Sequence, residues 1–90
     1  MDQAAFAKQL ADEGFDEILT KSMPAGQQVG AHSHDFEVKA LVTQGEVTLG
    51  VAGKLSTYRV GEVFRMAKLC EHTERYGDDG VSYVVGRKHA

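Results

Sequence analysis

The sequence predicts an all-β protein, a small barrel or sandwich preceded by one short helix. Three observations carry this expectation. From Phe15 onward apolar residues recur mainly with period two, the repeat of a strand with one face turned inward. The alternating runs are short and broken by glycine-containing turn signals at close spacing, which is the pattern of a sandwich or barrel. Beyond residue 14 no helical periodicity alternates with the strands, which argues against a β-α-β arrangement. Ninety residues suffice for one domain. The expected division is a helix over residues 1–14 and a single β domain over 15–90.

The helix comes first. Asp2 can cap it, Phe6 and Leu10 stand four apart with Ala7 and Ala11 beside them, and Gly14 supplies the stop. A helix so short must dock on something to persist. Phe15 to Met23 reads as the first strand, ended by Pro24-Ala25-Gly26. Ala31 to Thr43 alternates: His32, His34, Phe36, Val38, Ala40 and Val42 share one face, and Ser33, Asp35, Glu37, Lys39 and Thr43 the other. Leu41 breaks the pattern. Gln44-Gly45 reads as a hairpin turn into Glu46 to Val51, and Ala52-Gly53-Lys54 as a turn into Leu55 to Val60. Gly61-Glu62 opens a strand through Phe64 and Met66, and Ala67 to Cys70 is irregular. Glu71 to Tyr76 is extended, Gly77-Asp78-Asp79-Gly80 reads as a turn, and Val81 to Val85 is the last strand.

Composition excludes several classes of function. A net charge of −3, with no basic cluster larger than Arg87-Lys88, gives no electrostatic basis for binding nucleic acid. No apolar run approaches the ~18 residues of a membrane span. The N-terminus lacks the basic start and apolar stretch of a signal peptide, and one cysteine, Cys70, fits a reducing compartment. The expected location is the cytoplasm.

The chemistry lies in the histidines. His32 and His34 stand on one face of a strand, and His72 lies far along the chain at a strand start. Imidazole is the commonest ligand for transition metals, so three that converge make a metal-binding face. His89, beside the C-terminus, is expected in solvent. Glu74 has the parity of His72 and is a candidate fourth ligand or base, although a charged residue at a strand end is the plainer reading. Glu37 could act as a base only if a bulge turned it inward. Cys70 is read as a small buried hydrophobe in preference to a ligand. Tyr58, Tyr76 and Tyr83 are read as core residues before pocket residues, Phe36 and Met66 as packing, and Arg65 as facing solvent.

These residues resemble the cupin superfamily. Its first motif runs G, five residues, HxH, three or four residues, E, six residues, G; Gly26, His32, His34 and Gly45 hold their places. Its second runs G, five residues, PxGxxH, three residues, N; Gly61 and His72 match. The departures are as informative. Val38 and Lys39 stand where the glutamate ligand belongs, Ala67 and Leu69 replace Pro and Gly, and Tyr76 replaces Asn. The resemblance covers residues 18 to 86. It implies a conical β-barrel (a double-stranded β-helix, or jelly roll), often dimeric, with a metal ion at the wider mouth.

The implied site is mononuclear, with His32, His34 and His72 as ligands. Three neutral nitrogens suit Zn, Fe(II), Ni or Cu better than Mg, Ca or Mn. A three-histidine cupin face is similar to that of thiol and diketone dioxygenases, which are mostly longer chains. The implied function is binding or converting a small organic molecule, as a dioxygenase or lyase if it is an enzyme. The alternatives are a non-catalytic sensing module and a structural dimeric barrel with an empty site. Unpaired strand edges lead to the expectation of a homodimer.

Overall fold

The computed structural model describes residues 1–89 and shows one helix and six strands: α1 (Gln3–Asp12), β1 (Glu17–Met23), β2 (Gln28–His32), β3 (Glu37–Val51), β4 (Lys54–Arg59), β5 (Val63–Met66) and β6 (His72–Lys88). All strand pairs are antiparallel. Two strands, β3 and β6, are long and pair with each other along nearly their whole length. Near one end β1 and β5 flank them; near the other, β2 and β4 do. The result is two four-stranded layers that share two bent strands and enclose an apolar interior.

This arrangement corrects two expectations. Gln44-Gly45 and Gly77 to Gly80 are not hairpin turns but bulges inside continuous strands. Inward residues on β3 are Val38, Ala40 and Val42 before the bulge, then Val47 and Leu49 after it. On β6 Tyr76 precedes the bulge, and Val81, Tyr83 and Val85 follow it. The parity switch that reads as two strands and a turn is one strand bent so that both halves face inward. Gly45 and Gly80 make this possible. Their φ angles are 69° and 75°, and a Cβ on Gly45 would collide with the Gly80 carbonyl.

A third difference concerns the strand expected over Ala31 to Thr43. It breaks at residues 33–36, between β2 and β3. The helix forms as expected: Asp2 Oδ1 accepts a hydrogen bond from the Ala5 amide at 2.7 Å, and Gly14, at φ 89°, lets the chain turn away. It docks on the outer face of the sheet, where Phe6, Leu10 and Phe15 form a second core with Leu41 and Val84. Leu41 departs from alternation because this part of β3 is covered on both faces. Lys39, also on the outer face, is buried beneath the helix end and donates to both Glu13 carboxylate oxygens, at 2.9 and 3.0 Å.

Candidate metal centre

His32, His34, His72 and Glu74 converge at one end of the interior, with one ligand-type atom from each lying within 4.8 Å of all the others. Local irregularity puts them there. The pairing of β2 with β6 slips between Val29 and His32, so one extra residue turns His32 to the same side as Val29. His32 then stands directly across from His72. His34 lies in the break after β2 and stacks on Phe36, with ring centroids 4.9 Å apart and planes 16° apart. His72 and Glu74 sit two apart on regular β6, and so share a face.

Hydrogen bonding fixes one proton on each of two rings. His32 Nδ1 lies 2.7 Å from the Gly30 carbonyl oxygen, and His72 Nδ1 lies 3.1 Å from that of Cys70. A carbonyl only accepts, so each Nδ1 carries a proton and donates. In a neutral imidazole the other nitrogen, Nε2, is then a bare lone pair. Both lone pairs point at one atom: Glu74 Oε2 is 3.0 Å from His32 Nε2 and 3.3 Å from His72 Nε2. Glu74 Oε1 accepts from the Tyr76 hydroxyl at 3.1 Å. Acceptors facing acceptors, with His72 buried and Glu74 nearly so, require a cation between them, a proton or a metal ion.

The spacing of Glu74 from His32 and His72 suits a metal ion. Neighbouring ligands around an ion held at ~2.1 Å stand roughly 3.0 to 3.4 Å apart. The carbonyl bonds on the outer nitrogens are of the kind that orient histidine ligands, and the Tyr76 bond orients the carboxylate. Burial, followed by the neighbouring His32 and His72, lowers the pKa of His34 below the usual histidine value, which keeps its ring neutral and able to ligate.

A cavity of about 210 Å³ adjoins the cluster. Its walls are largely apolar, from residues such as Val38, Phe64, Met66 and Val85, with Tyr76 and Tyr83 between them. Burial pushes the Tyr83 phenol up to about 12, and burial with the Glu74 carboxylate pushes Tyr76 up as well, so both are neutral donors at ordinary pH.

The remaining candidates are placed elsewhere. Glu37 opens onto a different hollow with Arg65, Lys68 and Lys88, and no bulge turns it toward the histidines. Cys70 contributes its carbonyl, not its sulfur, to the arrangement. His89 is half exposed and meets Glu17 at 3.1 Å. Tyr76, Tyr83, Phe36 and Met66, expected as packing, line the cavity, as do Lys21 and Arg87, for which the sequence carries no motif. Parity was the available signal: Lys21 shares a face with Leu19 and Met23, and Arg87 with Tyr83 and Val85.

No family model and no curated protein matches the sequence. Solved structures match the backbone. A protein of unknown function from Rhizobium leguminosarum bv. viciae 3841 superposes with a TM-score of 0.75 at 19% identity, over 81% of this chain and 69% of that one. The cupin domain of Schizosaccharomyces pombe Cnp3 gives 0.70 at 15% identity, over 79% and 50%. An RmlC-like cupin from Shewanella frigidimarina NCIMB 400 gives 0.65 at 17% identity, over 78% and 63%. The chain thus spans half to seven-tenths of the length of these structures, and the likeness is one of fold.

Proposed function

We propose that this chain, which has the cupin fold, holds one divalent transition metal ion through His32, His34, His72 and Glu74, and binds or converts a small organic molecule in the adjoining cavity. The observation that carries this reading is the meeting of two histidine Nε2 atoms and a carboxylate oxygen around one point, with both Nδ1 atoms engaged by carbonyls. In this reading the carboxylate missing from the first cupin motif comes from another strand, β6. With a carboxylate in the set, the ground for preferring Zn, Fe, Ni or Cu over Mn falls away.

The ion would supply Lewis acidity, or redox chemistry if it is iron or copper, to an oxygen of the bound molecule. The protein's own residues do the rest. The Gly30 and Cys70 carbonyls hold two imidazoles in the tautomer that presents Nε2. Tyr76 fixes the Glu74 carboxylate. Phe36 and the apolar wall limit water, and the Tyr83 hydroxyl faces the cavity as a proton donor.

Elemental analysis of protein purified without an affinity tag tests the reading. About one ion per chain is expected for the wild type and none for His32→Ala/His34→Ala. Equal metal content in the two proteins would overturn it.

Pairing with a second copy, expected from open edges, is supported by the apolar residues Val51, Leu55 and Val60 left exposed at and beside β4, which among the described residues pairs with β3 alone. Light scattering at twice the chain mass checks it.

A further inference from the structure

We propose that the cavity beside the histidine cluster selects a small organic carboxylate, whose charge is met by Lys21 with Arg87 beside it. This rests on the reading of the cavity as a ligand site and names the class of ligand. Apart from the histidines, Lys21 and Arg87 are the cationic side chains of a wall that is mostly apolar and whose one carboxylate, Glu74, is engaged by His32, His72 and Tyr76. They differ in what already neutralises them. Arg87 lies 3.4 Å from the Glu17 carboxylate, with its guanidinium 5.0 Å over the Phe36 ring. Among the described residues no carboxylate pairs with Lys21.

Lys21 is on the inner face of β1, opposite Tyr83 in register and between Leu19 and Met23 on that face. Nothing in strand packing requires an ammonium there. An apolar residue would serve the wall better, and an ammonium held at a largely apolar surface is costly until an anion meets it. One uncompensated positive charge matches one negative charge on the ligand. Arg87, stacked on Phe36 and so held in place, can share the same anion through its free N–H groups.

Size and wall chemistry narrow the class. About 210 Å³ corresponds to roughly seven water volumes, or a molecule of about seven to ten non-hydrogen atoms. Residues such as Val38, Phe64 and Met66 favour an apolar body. A short aliphatic or aromatic monocarboxylate fits both limits, whereas inorganic phosphate leaves the apolar wall unused.

The test is calorimetric titration of the full chain with benzoate and hexanoate, and with their amides, on metal-loaded and metal-stripped protein. Each carboxylate is expected to bind roughly tenfold or more tighter than its amide in both forms, the scale of one charge-assisted hydrogen bond. Lys21→Met should bring the carboxylate down to the affinity of the amide, and Lys21→Glu below it.

Equal binding of acid and amide, no saturable binding of either acid, or phosphate binding more tightly than benzoate would each overturn the proposal. So would a preference for the acid that appears only with metal, because the anion would then sit on the ion and not on Lys21. Loss of metal binding with the acid preference intact would instead remove the metal centre and leave this inference standing.

Discussion

Two buried polar groupings lie on opposite faces of the same sheet, and they are completed differently. Under the helix end, the Lys39 ammonium meets both oxygens of Glu13, so donors face acceptors and charges cancel. At the mouth of the interior, two imidazole lone pairs and a carboxylate face one another, with both Nδ1 protons already used. The first grouping is complete with protein atoms alone. The second is completed by a cation, either a proton on one of the histidines or a metal ion. In the proposed reading it is the metal ion, and stability is there given up for binding.

The largest effect should come from supplying that cation. With the ion at about 1,000 times its dissociation constant, the fold gains about 4 kcal/mol. In a domain this small that raises Tm by roughly 15 °C or more. Calorimetry with and without a chelator checks it, and His32→Ala/His34→Ala should show no shift on adding metal. A wild-type protein indifferent to metal would make the two groupings equivalent after all.

Glu74→Gln should divide stability from binding. A glutamine amide can donate to the histidine lone pairs that a carboxylate opposes, so the metal-free variant should melt at or above the wild-type temperature. Its metal affinity should nevertheless fall more than ~100-fold, beyond the usual loss for a residue that merely orients a ligand. Removing a carboxylate from the other grouping, in Glu13→Gln, should lower Tm with no effect on metal binding. Matching thermal losses from the two substitutions would erase the distinction.

The inner wall gives a smaller, pH-dependent effect. Burial raises the Tyr83 phenol from 10.0 to about 12, so the unfolded chain releases this proton at a lower pH than the folded one. Stability from this group is therefore full below pH 10.0 and is lost as pH rises through about 12. The loss is of order 2 kcal/mol. Unfolding in urea along an alkaline series should show it, and Tyr83→Phe should lessen the slope over that window, leaving the part that Tyr76 contributes.

How much of this was legible before the structure depends on where the backbone stays regular. The helix, its Asp2 cap and the Ala52-Gly53 turn follow from local rules that the fold leaves intact. His32 and His34 do meet His72, but through a register slip and a strand break that simple alternation does not contain. The bulges at Gly45 and Gly77–Gly80 were not legible, because a parity switch at glycine looks the same whether a chain reverses or merely bends. Leu41 looked anomalous because alternation assumes one wet face, and the helix dries both. Glu74 was in view by parity, but only coordinates show its oxygen between two lone pairs. Lys21 is not legible, because a lone lysine within a strand carries no motif.

The smallest effect concerns the completed pair, and it sets the reference for the others. Hydrogen bonding to Lys39 holds the Glu13 carboxyl below its usual 4.5, so this contribution is present above that pH and is lost as the solution is acidified through the lowered value. Glu13→Gln removes the counter-charge and leaves Lys39 buried, whereas Lys39→Met/Glu13→Gln replaces the pair with apolar contact at one end and a neutral amide at the rim. The double variant should therefore be more stable than Glu13→Gln alone and close to the wild type, as expected when the desolvation of a buried ion pair nearly offsets its attraction. Both variants should lose the acid-dependent part of the melting curve contributed by Glu13. If the double variant falls well below the wild type, the pair is a net source of stability, and the two groupings differ more strongly still.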